Sequence, residues 1–358
     1  MTAEVLFLAI GALLLVPLSW LVPTRHAFDV VAICSGLLLA IVSPPSAIWL
    51  MSASGLALGA MTLGDRLDRK GLAMLASIGL LVLAIVATRV WFNAFWIGGA
   101  YFTLRILHVM FDWWMEKVPV PGLKSFLRYQ FFLPVIVAGP INRMQNFERQ
   151  IVRRRWDQQA FFSGAERSLF GLAQAIILGG WLIERIQAAS GRFTRSLPDF
   201  FAIWAGSIID WVQLYLVFAG YTSFALGVAL MMGLTLEENF NAPWKAQDLV
   251  DFWSRWHMTL SLWCRDYVFQ PVSALSRSPV IALFAAMLVI GLWHELSAYY
   301  VLWAFWQVLG IVLSRWLGAF RLTRGLTVWQ ARFVHFVMIF GWLSMAKPVI
   351  LAVFGPFK

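Results

Sequence analysis

The sequence predicts an all-α, multi-pass membrane protein, and three observations carry that prediction. Of 358 residues, 61% are hydrophobic and only 13% are charged, with a mean hydropathy of +0.75; a soluble domain carries about 25% charged residues. The apolar residues fall in runs of about 20, the length of helix that crosses a hydrocarbon layer. No run shows the alternation of roughly ten residues expected of a barrel strand, and a backbone in lipid must satisfy its own hydrogen bonds, so the crossings are helices.

Cutting the apolar runs at their charges and prolines gives candidate spans at 3–22, 27–43, 46–63, 71–88, 90–112, 126–142, 160–183, 199–234, 278–294, 297–317 and 330–354. The first lacks a basic n-region and an A-x-A cleavage site, so it reads as a retained span rather than a removed signal. Arg66, Arg69 and Lys70 form the connection after the third. The stretch 199–234 exceeds one crossing and fits either a tilted helix or two shorter ones. The expectation is about 10–12 spanning or re-entrant helices, in one membrane-embedded domain over 1–358. No inverted internal repeat is visible.

The connections carry most of the charge. The net charge of +10, from 28 Lys and Arg against 18 Asp and Glu, fits basic loops beside anionic lipid, and no nucleic-acid motif accompanies it. The densest basic cluster, Arg143, Arg149, Arg153, Arg154 and Arg155, belongs on the cytoplasmic side by the positive-inside rule. It reads as a lipid-surface anchor, with a docking surface for an acidic partner as the alternative. Cys34 and Cys264 lie far apart inside apolar stretches, which indicates neither a disulfide framework nor a thiolate metal cluster.

One segment departs from this pattern. Residues 236–272, LEENFNAPWKAQDLVDFWSRWHMTLSLWCRDYVFQPV, are too polar to cross lipid freely and too aromatic for a solvated loop. Polar or irregular backbone is tolerated at membrane depth only beside protein or a water-filled cavity, so a re-entrant or lateral helix is expected. Asn239, Asn241, Pro243 and Gln247 mark a turn into a helix starting near Asp248. On a helical wheel Trp253, Trp256, His257, Leu260 and Cys264 share one stripe, and Asp251 pairs with Arg255 at i, i+4 on the other side. A core histidine is the plain reading of His257 and a functional one its rival.

A second histidine, His294, is embedded in AAMLVIGLWHELSAYYVLWAFW (285–306). As a continuous helix this run places Met287, Ile290, Gly291, His294, Ala298, Val301 and Phe305 on one stripe, with small residues a turn either side of the imidazole. An ionisable group within a span is a functional-site hypothesis, since a charged one costs about 2.5 kcal/mol or more; neutral imidazole escapes most of that cost, so a packing role stays open. His294-Glu295 does not open a zinc motif, because Ala298 stands where H-E-x-x-H needs its second ligand. His26, His108 and His335 show no ligand spacing. His108 could line a shared cavity, although packing is its plainer role. Neither a G-x-S-x-G elbow nor a Walker loop occurs.

The strings FFLPVIVAGPINRMQNFERQ (131–150), LYLVFAGYTSFALGVALMMG (214–233), LEENFNAPWKAQDLVDFWSRWHMTLSLWCRDYVF (236–269) and GLWHELSAYYVLWAFW (291–306) resemble, in order, the motifs of the membrane-bound O-acyltransferase family. They span 131–306, about half the chain, and look most like its bacterial cell-surface polysaccharide branch. The resemblance implies a bundle around a central funnel or tunnel, with donor entering from the cytosolic side. It makes His294 the catalytic histidine and His257 the second active-site polar residue, a place held by asparagine in lipid-modifying branches. Asn239, Asn241, Trp253, Trp256, Trp293 and Glu295 complete the expected substrate-binding set, with no metal.

The reaction so implied moves an acyl group, acetyl first, from a thioester to a hydroxyl of an extracytoplasmic polysaccharide at the bacterial cytoplasmic (inner) membrane. No cofactor is expected to be bound; acetyl-CoA or an acyl carrier phosphopantetheine serves as co-substrate. Expected partners are membrane lipid, the donor or its carrier protein, and the polysaccharide or an extracytoplasmic acyltransferase, but no nucleic acid. D-alanyl transfer to a cell-envelope polymer is the first alternative, and a transporter or flippase the second. Two positions depart from the branch pattern: Ser223 stands in place of the aspartate of F-S-G-Y-S-D, and Glu295 in place of the glycine after the histidine.

Overall fold

Helices make up nearly all of the regular structure in the computed structural model, which describes residues 3–91, 97–136, 139–194, 196–317 and 323–355. Among the described residues seven helices are long and apolar enough to cross a membrane, and two shorter apolar helices, Lys70–Ala84 and Pro279–His294, accompany them. The all-α, multi-pass expectation holds. The chain separates into two compact units, one of Met1–Leu172 with Tyr221–Glu237, the other of Ala173–Gly220 with Glu238–Lys358.

The first unit begins with α1 (Ala3–Leu21), α2 (Thr24–Val42), α3 (Pro44–Arg66) and α4 (Lys70–Trp91). Next comes α5 (Gly99–Trp114); residues 92–96 of the predicted span 90–112 lie outside the described residues. The predicted span 126–142 does not form one crossing helix. Instead α6 (Leu123–Gln130) stops and a single 3-10 turn, Leu133–Val135, follows, because Pro134 lacks the N–H that an α-helix interior needs; residues 137–138 lie outside the described residues. After it, α7 (Met144–Arg153) is amphipathic and buries Met144, Phe147 and Ile151. Phe147 packs on Phe132, Tyr129 and Phe28 at ring separations of 5.1, 5.8 and 6.2 Å, so α7 lies against the bundle instead of crossing.

The basic cluster in and around α7 is partly structural. Arg154 lies 4.3 Å over the Trp20 ring and donates to the carbonyls of Ser19 and Met232, while Arg153 and Arg155 stay exposed. Arg128 of α6 grips Asp29 of α2 with two hydrogen bonds of 2.6 and 3.0 Å. His108 is fully buried: its Nε2 accepts from the Met144 N–H at 3.0 Å, and its Nδ1 lies 3.3 Å from Asp112. That imidazole is a packing residue of the first unit.

From Gln158 to Thr194 the chain is helical, as α8 (Gln158–Ala173), a wide π-helical stretch and α9 (Ile183–Thr194). Residues 199–234 resolve in favour of one long helix, α10 (Asp199–Met231) of 33 residues, or about 50 Å at 1.5 Å per residue. Within the second unit follow α11 (Leu249–Arg255), α12 (Met258–Cys264), α13 (Gln270–Ser276), α14 (Pro279–His294), α15 (Ala298–Leu317) and α16 (Val328–Phe354). Their starts carry explicit signals. The Asp248 carboxylate accepts from the Asp251 N–H at 2.7 Å, Ser278 and Pro279 open α14, and Thr327 with Gln330 forms a capping box on α16, which satisfies N–H groups that the first turn leaves orphaned.

Candidate active site

The segment predicted as one helix from Asp248 does start there, but it breaks at the histidine. Trp256 is extended, and His257 has φ 43° and ψ 54°, the left-handed region, so α11 ends before it and α12 begins after it. Two backbone bonds force the break: Asn241 N–H donates to Arg255 O at 3.0 Å and Met258 N–H to Asn239 O at 2.9 Å, pairing 239–241 antiparallel with 255–258 around a Phe240–Trp256 bridge. The periodicity could not show this, because Trp253, Trp256, Leu260 and Cys264 are all buried on both sides of the break. The expected Asp251–Arg255 pair is present at 2.7 Å, and Arg255 also donates to the Asn241 carbonyl.

Asn239 fixes the ring. Its Oδ1 accepts from Thr259 Oγ1 at 2.6 Å and from the Thr259 N–H at 3.4 Å, and lies 3.3 Å from His257 Nδ1. A backbone N–H only donates, which identifies the amide atom as oxygen; His257 Nδ1 therefore donates, and the neutral ring carries its lone pair on Nε2.

The run 285–306 is also interrupted. His294 ends α14, Glu295 is extended, and α15 starts at Ala298. The expected stripe from Met287 to Phe305 is therefore folded into a hairpin. Its two helices touch closely at Gly291, one turn before His294, where an added Cβ would meet the Tyr300 carbonyl at 2.8 Å.

The two imidazoles open onto one cavity of about 570 Å³ within the second unit. Trp293 packs on both, 5.7 Å from His257 and 4.7 Å from His294 in ring centroids. Phe218 of α10 packs edge-on against His257 at 4.7 Å, and Tyr300 stacks on His294 at 5.7 Å. Of the predicted set, His257, His294, Trp253, Trp256 and Glu295 line the cavity, while Trp293, Asn239 and Asn241 do not. Asn239 is fully buried, its side chain engaged by His257 and Thr259, and Asn241 is exposed. The indole N–H of Trp253 is buried with no hydrogen-bond partner.

Sequence reading did not single out one wall of this cavity. Ser207 and Asp210 of α10, Tyr299 and Tyr300 of α15 and Lys347 of α16 all line it, and Lys347 Nζ meets Asp210 Oδ2 at 2.9 Å. The available signal was a charge inside each of two apolar runs, since such charges face a bundle interior or cavity. That they meet was not readable.

Sequence comparison places the chain among known proteins. A probable alginate O-acetylase of Pseudomonas aeruginosa is 29% identical over 69% of this chain and 48% of its own length. A teichoic acid D-alanyltransferase of Streptococcus thermophilus is 30% identical over 62% of this chain and 57% of its own. A peptidoglycan O-acetyltransferase of Helicobacter pylori is 27% identical over 63% and 44%. The chain spans about half the length of these curated relatives. The family model of membrane-bound O-acyltransferases matches residues 115–351, a range that includes both histidines and every wall of the cavity, and the chain belongs to that family.

Proposed function

We propose that the chain is a membrane O-acyltransferase of the bacterial cytoplasmic membrane, moving an acyl group, in the first instance acetyl, from a cytosolic-side thioester to a hydroxyl of an extracytoplasmic polysaccharide. The observation that carries this reading is the shared cavity: two imidazoles from separate elements line one volume in a chain of this family. In this account neutral His294 takes the hydroxyl proton as the oxygen attacks the thioester carbon, and the thiolate departs without needing a strong acid. His257 carries its lone pair on a buried Nε2, so in its neutral form it does not donate to the carbonyl oxygen, and its part is to shape the cavity wall beside the reacting groups. The oxyanion falls instead to Trp253, whose N–H is buried without a partner and whose indole has to turn toward the cavity to donate. Loss of such a donor lowers turnover about 100-fold or more, so Trp253→Phe is expected to lower kcat by that factor with little change in KM, measured by steady-state transfer.

A D-alanyl donor is the second reading, and Glu295 favours it: the residue lines the cavity next to His294, and a carboxylate there would pair with the ammonium of an aminoacyl group. Purified protein incubated with mass-labelled acetyl-CoA or D-alanyl carrier thioester and an oligosaccharide tests both. A labelled covalent product identifies the donor. Translocation of the oligosaccharide without any product would replace the enzyme with a flippase.

A further inference from the structure

The Asp210–Lys347 pair is used by no step of the chemistry above, yet it stands on the wall of the same cavity. Asp210 belongs to α10 and Lys347 to α16, both long and apolar enough to cross a membrane. Charges in such helices are costly and persist where they face each other and a water-filled space. Along α10, Ser207, Asp210, Trp211, Leu214 and Phe218 form the face turned to the cavity. Phe218 marks the level of His257, against which it packs; Asp210 is eight residues away, or about 12 Å at 1.5 Å per residue. The cavity thus reaches from the level of His257 to that of the ion pair, with Tyr299 also on its wall.

We propose that the Asp210–Lys347 pair recognises the acceptor, and that it selects an uncharged, hydroxyl-rich sugar over a uronate- or phosphate-bearing polymer. The inference rests on the acyl-transfer reading and deepens it. A carboxylate accepts from one sugar hydroxyl while the neighbouring ammonium donates to the next, a match to adjacent hydroxyls on a pyranose. Lys347 already has its counter-charge at 2.9 Å, so it does not stand as an open cation for an anionic sugar. With neutral imidazoles, the charged groups on the cavity wall are Asp210, Glu295 and Lys347, two negative and one positive, which repels a polyanion.

The test uses the full chain purified in detergent or nanodiscs, with cellotetraose as the neutral probe and an oligomannuronate of equal length as the anionic one. Trp211, Trp253, Trp256 and Trp303 line the cavity, so binding is read from tryptophan fluorescence. The expected result is saturable binding of cellotetraose, weakened on the order of tenfold by Asp210→Asn or Lys347→Met, with the oligomannuronate binding more weakly. In turnover, both variants raise acceptor KM by a similar factor and leave kcat within a few-fold. The exchanged double variant, Asp210→Lys with Lys347→Asp, keeps two opposite charges but reverses their places, which separates recognition from mere charge pairing: it is expected to keep the wild-type melting temperature without restoring the acceptor KM. Tighter binding of the oligomannuronate, or an unchanged acceptor affinity in both single variants, or an acceptor KM returned to wild type by the exchange, overturns the proposal. Sugar binding without any acyl transfer overturns the enzyme reading instead and leaves the sugar site standing.

Discussion

His257 sits at φ 43°, where a residue with a Cβ pays about 1–2 kcal/mol; His and Asn tolerate that region better than β-branched residues. The conformation is held by the backbone pairing of 239–241 with 255–258 and by the Asn239 side chain. His257→Asn is therefore expected to keep the fold and lose most activity, whereas His257→Val loses both, and thermal melting with a turnover assay separates the two. Asn239→Ala leaves Thr259 Oγ1 and His257 Nδ1 without their shared acceptor, a loss of about 1–3 kcal/mol. It should also lower kcat much as His257→Ala does, and the double variant should be no worse than the more damaging single, since both remove one unit; additive losses would show that Asn239 acts elsewhere. Which residues to watch was legible here, because an imidazole in an apolar run is conspicuous. The left-handed turn was not, because the residues that create it lie across a loop from the histidine and carry no local signal.

The second histidine owes its place to a pair of helices. α14 and α15 approach at Gly291, where any side chain would collide with the Tyr300 backbone carbonyl at 2.8 Å. A backbone atom cannot swing aside, so Gly291→Ala must separate the helices, at about 1–3 kcal/mol. His294 lies one turn further along α14, so the variant is expected to insert and express but to lose activity out of proportion to its fall in melting temperature. A proportionate fall in both would show the hairpin to be scaffold only. Most elements could be read from the chain: α1 to α4, α10 and α14 to α16 start and stop close to the charges and prolines that bound their runs. Two failures share one cause. The runs 249–264 and 285–306 have apolar residues on both sides of a break, so helical periodicity continues through a turn that only tertiary contacts create.

At the scale of the whole chain, composition alone gave the class, because burying this much apolar surface without lipid exceeds what one soluble domain can do. What composition could not give is convergence. The proposed chemistry requires His257 and His294, far apart in sequence, to share one volume; both line a single cavity in the second unit, to which α10 and α16 add a charged wall. Lys347→Met or Asp210→Asn should leave melting temperature nearly unchanged, because both side chains are about half exposed to the cavity and exposed pairs contribute about 0–1 kcal/mol. The most direct test of the central claim is turnover of purified His294→Ala against wild type, with labelled thioester and oligosaccharide, at matched melting temperature. The account predicts covalent product from the wild type and none above background from the variant; near wild-type turnover by the variant would contradict it.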